Sequence, residues 1–141
     1  AETPLFAPPP VDLAAEKLAG AYVRRLIKDR RVSAVHDLSD GGLAIAAIEM
    51  AFASGIGFKL KNTSDVPLYA WLFGEDQGRY LLAVDENSLN PVISTAMNQG
   101  IPAIKVGEIG GARLKADGAF DMSLHHTHMK YEKWLPEYMD S

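Results

Sequence analysis

The chain contains no cysteine, which excludes disulfide bonds, thiolate catalysis and cysteine-based zinc sites. No apolar run approaches the roughly 18 residues that a membrane-spanning helix needs. The formal charge of −4 leaves no excess of basic residues for binding nucleic acid. We therefore expect neither a membrane nor nucleic acid as a partner, and we expect a cytoplasmic location.

The composition is that of a globular domain, since 48% of the 141 residues are hydrophobic and 23% are charged. A chain of this length fits one domain. Four of the eight prolines lie within the first ten residues, and such a stretch is typical of a linker. The sequence therefore predicts a proline-rich linker from a missing N-terminal part over 1–10 and a single domain over 11–141.

Apolar spacing predicts helices and strands that alternate along the chain. The predicted helices cover 12–29, 42–53, 68–73, 89–98 and 129–139, and the predicted strands cover 34–36, 58–61, 80–84, 102–109 and 113–115. Gly110 and Gly111 are expected to form a hairpin turn between the last two strands. Together these elements predict an α+β fold, with a layered mixed β-sheet covered by helices.

The segment 37–42 reads as a polar turn between a short strand and a helix that begins on two glycines. A helix N-terminus has unpaired N–H groups and a partial positive charge, and glycine lets another group approach the backbone closely. Such a turn can hold a phosphate, a carboxylate or a hydrated cation. Alternatively, Asp40 caps the helix, Asp37 forms the turn, and no ligand is bound.

A second polar segment, 75–79, reads Glu-Asp-Gln-Gly-Arg. The Gln77 side chain offers both a hydrogen-bond donor and an acceptor, and the Arg79 guanidinium can bind an oxyanion through two parallel bonds. These properties favour an anionic substrate. The alternative is that Glu75 and Arg79 pair with each other or with a neighbouring domain.

Two further clusters have simpler interpretations. His125, His126 and His128 could bind a metal, but no carboxylate or further histidine is expected at helical spacing, so a solvated loop is favoured. The basic residues between 24 and 31 could steer phosphate. They are more simply a solvated face whose cations complement the C-terminus of the first helix.

Several segments resemble one protein family. Residues 36–44, His-Asp-Leu-Ser-Asp-Gly-Gly-Leu-Ala, with 48–51, resemble the C-terminal domain of the ATP-dependent superfamily that includes aminoimidazole ribonucleotide synthetase. Residues 9–13, 72–81, 106–111 and 135–139 make the resemblance narrower. They are similar to the branch formed by the synthetase subunits of phosphoribosylformylglycinamidine synthase.

The resemblance implies part of an ATP-dependent carbon–nitrogen ligase, which converts formylglycinamide ribonucleotide to formylglycinamidine ribonucleotide in purine biosynthesis. It implies ATP and Mg²⁺ as cofactors and Asp37 as a metal ligand. It also implies a set of residues that bind substrate or nucleotide: Ser39, Asp40, Gly41, Gly42, Glu75, Gln77 and Arg79. No catalytic residue is expected within this chain.

The implied partners are the N-terminal domains of the same polypeptide, a glutaminase subunit and a small accessory subunit. The site would lie between domains, so this domain alone would be inactive. One departure supports an alternative, since Asp76 stands where the family's substrate loop has serine. A carboxylate there would repel a phosphorylated substrate. The domain would then be an auxiliary nucleotide-holding or domain-docking module without a working site.

Overall fold

The computed structural model describes residues 13–39, 41–74 and 79–140. The linker predicted over 1–10 therefore lies outside the described residues. The described residues form five helices and six strands in the order α1 (Leu13–Lys28), β1 (Ala34–Asp37), α2 (Gly42–Ser54), β2 (Phe58–Leu60), α3 (Leu68–Phe73), β3 (Tyr80–Ala83), α4 (Glu86–Asn98), β4 (Gly107–Ile109), β5 (Arg113–Ala116), β6 (Phe120–Ser123) and α5 (Leu124–Asp140). None of these helices is long and apolar enough to cross a membrane.

The described residues divide into two compact units. The first unit comprises the described residues up to Ala47 together with Asn62–Lys105, and the second comprises Ile48–Lys61 and the residues from Val106 onward. The prediction of a single domain over 11–141 stays a prediction.

Helical periodicity located the early helices well. Helices α1, α2 and α3 lie where the apolar spacing predicts them. Helix α4 begins at Glu86, three residues before the predicted start. The helix begins at this residue because the preceding Asp85 is extended (φ −63°, ψ 146°), and the Asp85 carbonyl accepts a hydrogen bond of 2.9 Å from the Ser88 N–H.

The core of the first unit lies between α1 and α4. Tyr22 and Leu26 of α1 pack with Val92 and Ala96 of α4, and all four are buried. The Tyr22 hydroxyl donates a hydrogen bond of 2.7 Å to the carbonyl oxygen of Val92. The helix contact therefore combines apolar burial with one buried polar bond, which a phenol needs when its ring is inside.

The first unit also contains a two-stranded antiparallel sheet of β1 and β3. Its register pairs Ala34 with Ala83 and Asp37 with Tyr80. Partly buried residues at the end of β3, including Leu82, pack against the core between α1 and α4. The C-terminal end of β1 therefore lies beside the start of β3.

The second unit contains a four-stranded mixed sheet with the order β4-β2-β5-β6. Strand β2 pairs in parallel with β5 and antiparallel with β4, and β5 pairs antiparallel with β6. Phe58 and Leu60 are buried on either side of the exposed Lys59, the alternation of a half-buried strand. The rings of Phe58 and Phe120 pack edge to face, with their centroids 6.3 Å apart. The predicted α+β class with a mixed sheet is confirmed.

The hairpin predicted at Gly110 and Gly111 is wrong. Strand β2 lies between β4 and β5, so the two strands that flank these glycines do not pair. Instead, Gly57 accepts a hydrogen bond from the Gly110 N–H and donates one to the Gly111 carbonyl, each at 2.9 Å. The glycines therefore carry the chain around the beginning of β2.

The region after Asn98 shows the largest differences from the sequence predictions. Of the strand predicted over 102–109, β4 covers Gly107–Ile109, where it pairs with the three-residue strand β2. Strand β6 was missed. Its hairpin with β5 turns at Gly118, which has a positive φ of 81°. The dipeptide Asp117-Gly118 is a hairpin signal that could have revealed it.

Helix α5 begins at Leu124, five residues before the predicted start, and continues through Pro136 to Asp140. The three histidines therefore lie on a helix, and the predicted solvated loop is wrong. Glu132 does stand at helical spacing from His128, and its Oε1 lies 3.1 Å from the histidine Nε2. The His128 ring also stacks on Phe52 with centroids 4.4 Å apart. Within the described residues no three metal-ligating side chains come together.

Replacing Tyr22 with phenylalanine should destabilise the chain by about 1 kcal/mol at neutral pH, because a buried hydrogen bond is lost. Burial raises the pKa of the Tyr22 phenol, an effect that the nearby Arg31 and Arg25 partly offset. The unfolded phenol ionises near pH 10, so its stabilising contribution is present below that pH and is lost as pH rises through the folded value. Urea unfolding of both proteins at neutral and alkaline pH measures this.

Tyr69→Phe is the matched control, since Tyr69 is 73% exposed in the same unit and should tolerate the change without loss of stability. An equal loss at Tyr22 and Tyr69, or a gap between wild type and Tyr22→Phe that does not narrow above about pH 10, would contradict this account.

Candidate functional site

The described parts of the two polar segments predicted as site residues are neighbours in the first unit. Asp37, the last residue of β1, pairs with Tyr80, the first residue of β3. One step further, the Leu38 N–H donates a hydrogen bond of 3.0 Å to the carbonyl oxygen of Arg79. The Leu38 side chain is fully buried and anchors the turn. The sheet therefore brings the segment 37–42 and the end of the segment 75–79 to the same edge.

Asp37 has an exposed side chain that organises the turn after β1. Its Oδ1 accepts a hydrogen bond of 2.8 Å from the Ser39 N–H, a typical Asx turn. Its Oδ2 has no hydrogen-bond partner among the described residues. One carboxylate oxygen therefore shapes the turn, and no described residue occupies the other, which a cation or water could meet.

Gly41 and Gly42 have backbone conformations that other residues rarely adopt, with φ of +87° and +80°. A side chain at Gly41 would collide with Ile45, whose Cγ1 lies 2.7 Å from the position of a Cβ atom. A Cβ at Gly42 would lie 2.8 Å from the carbonyl oxygen of Gly74. The backbone at Gly42 therefore touches the backbone at the end of α3.

Helix α2 begins at this contact. It is apolar almost all round, and its buried residues include Leu43, Ala44 and Ala47. Its first N–H groups have no partners within the helix and carry a partial positive charge, as at every helix N-terminus. The site therefore combines a helix N-terminus, one available carboxylate oxygen and the loop that precedes β3.

The chemistry of this arrangement fits a phosphate-bound magnesium ion better than a fully protein-coordinated one. Mg²⁺ usually keeps several waters and is held by one or two carboxylates plus substrate phosphates. Asp37 can supply one such carboxylate. The described residues offer no group of three metal-ligating side chains. Asp40 lies outside the described part of the chain.

Five of the eight predicted site residues can be placed. Asp37, Ser39, Gly41, Gly42 and Arg79 lie at one edge of the small sheet. Asp40, Glu75 and Gln77 lie outside the described residues, as does Asp76. Sequence reasoning missed Gly74, whose carbonyl oxygen faces Gly42. Its signal was the glycine that ends α3 immediately before the polar segment.

A comparison with protein families decides the assignment of the fold. The family described as AIR synthase related protein, C-terminal domain, matches residues 1–117. The chain belongs to this family. The turn at 37–42 and the three strands β1, β2 and β3 all fall within the matched range.

Curated relatives in the AIR synthase related family support the narrower resemblance. The chain is 48% identical over 133 residues to phosphoribosylformylglycinamidine synthase subunit PurL of Parvibaculum lavamentivorans, covering 94% of this chain and 18% of the relative. It is 50% identical over 137 residues to PurL of Rhodopseudomonas palustris strain HaA2, with the same two coverages. The resemblance to PurL synthetase subunits is confirmed. The chain spans about a fifth of the length of these relatives.

Solved structures share the fold. PurL of Thermotoga maritima complexed with FGAR matches with a TM-score of 0.71 and 17% identity, over 82% of this chain and 21% of that chain. The same protein complexed with ATP matches with a TM-score of 0.71 and 15% identity, over 89% of this chain and 24% of that chain. At this identity the similarity shows the fold, which is the predicted one.

Replacing Gly42 with alanine should destabilise the chain by about 2 kcal/mol or more, because it adds an unfavourable φ to a collision with the backbone of α3. Gly100→Ala is the matched control. Gly100 has a similar φ of +76°, but nothing lies within 4 Å of its Cβ position. The control should cost about 1 kcal/mol, the conformational part alone.

Urea unfolding measures both variants. The difference between them isolates the close approach of Gly42 to Gly74. Equal losses of stability in the two variants would show that this contact does not matter for the fold.

Proposed function

We propose that the chain works as part of a PurL-type phosphoribosylformylglycinamidine synthase. In this proposal it forms one wall of an ATP-dependent site that converts formylglycinamide ribonucleotide to formylglycinamidine ribonucleotide. The names of its relatives support the reaction, and the complex of Thermotoga maritima PurL with FGAR supports the substrate. The activity belongs to the whole enzyme, and we expect the isolated domain to be inactive.

One observation carries the proposal: Gly74 and Arg79, the described residues on either side of 75–78, lie beside the turn after β1 at one edge of the β1–β3 sheet. The hydrogen bond from Leu38 to Arg79 and the contact of Gly42 with Gly74 hold them there. Polar residues joined to both of these points could surround one phosphorylated ligand.

Each site residue would have a role that follows from its chemistry. Asp37 would hold Mg²⁺ through its available oxygen. The Ser39 hydroxyl and the start of α2 at Gly41 and Gly42 would bind phosphate or ribose oxygens, since the Ser39 N–H already donates to Asp37. Arg79, with Glu75 and Gln77, would bind the substrate, and Asp40 would either cap α2 or join the ligand. Magnesium–ATP would supply the phosphoryl group that activates the formamide oxygen, which ammonia then displaces.

The proposed partners follow from the same assignment. The N-terminal domains of the polypeptide would complete the cleft, a glutaminase subunit would supply ammonia, and a small accessory subunit would complete the assembly. The coverage of the relatives supports the first of these, since most of their length lies outside the matched segment. The cytoplasm, where ATP and these substrates are present, is the proposed location.

A second candidate function is that of a docking or auxiliary module. Tyr69 and Phe73 on α3 are 73% and 44% exposed, and their rings stack with centroids 6.2 Å apart. An exposed aromatic pair often marks an interaction surface. It precedes the segment 75–79 directly, so the same loop could dock a neighbouring domain instead of binding substrate.

A chimera tests the first function. The matching segment of the Parvibaculum relative is replaced by this chain, and formation of formylglycinamidine ribonucleotide is measured with ATP, Mg²⁺ and ammonia. Asp37→Asn is the informative variant, because its amide oxygen can still accept the Ser39 N–H while the negative charge is lost. We expect activity to fall at least about tenfold, or 1.4 kcal/mol. Much of the loss should be recovered by raising Mg²⁺.

Asp65→Asn is the matched control, since Asp65 is an exposed carboxylate of the same unit outside both segments. It should leave the activity unchanged. A folded chimera with full activity in the Asp37→Asn variant would contradict the metal role of Asp37. A folded chimera without any activity would favour the docking or auxiliary module.

A further inference from the structure

A small groove lies between the C-terminal end of α1 and helix α4, within the first unit. Its volume is about 80 Å³. The buried residues Tyr22, Leu26 and Val92 line it. The exposed residues Arg25, Asp29, Arg31 and Thr95 line it as well. An apolar floor with charged groups around it is typical of a site for a small polar ligand.

Two arginines, Arg25 and Arg31, line this groove. Both lie close enough to the Tyr22 phenol for their charges to oppose the effect of burial on its pKa. Neither guanidinium forms a salt bridge with a described residue. Among the described residues that line the groove, Asp29 is the one acidic residue. The two arginines outnumber this carboxylate, so the described lining has a net positive charge.

The backbone after α1 directs Arg31 to this place. Arg30 has a φ of +57°, the conformation in which glycine is usually found at the end of a helix. The Arg31 N–H then bonds to the Leu26 carbonyl at 2.9 Å, and the Arg30 N–H bonds to the Ile27 carbonyl at 3.1 Å. This turn reverses the chain, so Arg31 reaches the groove although Arg30 does not line it.

We propose that this groove binds a single phosphate group, held by the guanidiniums of Arg25 and Arg31. The size argues for one tetrahedral oxyanion, since sites for drug-sized ligands measure about 300–1,000 Å³ and a water needs only about 10–15 Å³. The ligand is either free phosphate or the terminal phosphate of a monoester whose remainder stays in solvent. The site does not depend on the function proposed above.

The competing explanation is that the cations only complement the C-terminus of α1. Arg25 and Lys28 lie in the last turn of this helix, where cations are favourable. That explanation treats all the basic residues alike. The groove distinguishes two groups of basic residues. Arg25 and Arg31 line it, whereas Arg24 and Lys28 do not.

Titration of the complete chain with inorganic phosphate tests the proposal, followed by amide and arginine side-chain shifts in nuclear magnetic resonance spectra at constant ionic strength. We expect saturable shifts at Arg25, Arg31 and Thr95. Arg25→Gln and Arg31→Gln should each weaken binding at least about tenfold, the loss of one charge-assisted pair. Arg24→Gln and Lys28→Gln are the controls and should change it less than twofold.

A parallel titration with methyl phosphate separates the two sources of phosphate. Equal affinity supports a monoester ligand, and binding of inorganic phosphate alone supports the free ion. Shifts that do not saturate, or equal weakening by all four variants, would overturn the proposal. If one arginine variant fails to fold, the other decides: unchanged phosphate binding in that variant would also overturn the proposal.

Discussion

The close approach of Gly42 to the end of α3 is the constraint on which the candidate site depends. The Cβ position at Gly42 lies 2.8 Å from the Gly74 carbonyl, so no side chain fits there. This contact lies where α2 begins and where the chain leaves α3. Both polar segments of the site are attached to these two points. A change that separates them would therefore move the turn at Asp37 away from the loop before β3.

Local signals in the sequence predicted most of the elements because those elements depend on neighbouring residues. The apolar run of α2 and the short helix after Pro67 are both where the pattern indicates. Strand pairing was predicted less well because it depends on residues far apart in sequence. The hairpin at Gly110 was wrong for this reason, since Gly57 takes the hydrogen bonds that a hairpin would have made internally.

The same distinction applies to the candidate site. Asp37, Gly41 and Gly42 could be identified from a single turn, because carboxylate chemistry and glycine freedom are local properties. Gly74 could not be identified, because its importance comes from a contact with a residue 32 positions earlier in the chain. The family resemblance joined the two polar segments in one hypothesis before the structure showed that Leu38 and Arg79 are hydrogen-bonded.

The start of α2 and the end of α1 carry partial charges of opposite sign, so a phosphate group would be bound differently at each. At the start of α2 the helix is partially positive, so a carboxylate such as Asp37 is compatible with an anion only if a cation stands between them. At the end of α1 the helix is partially negative, so a phosphate there needs fixed cations, and Arg25 and Arg31 are the groups that line the groove. The first place suits magnesium-bound nucleotide, whereas the groove of about 80 Å³ suits one phosphate group without a metal. Because raising Mg²⁺ strengthens the first mode and competes for phosphate in the second, the magnesium dependence of binding distinguishes the two places.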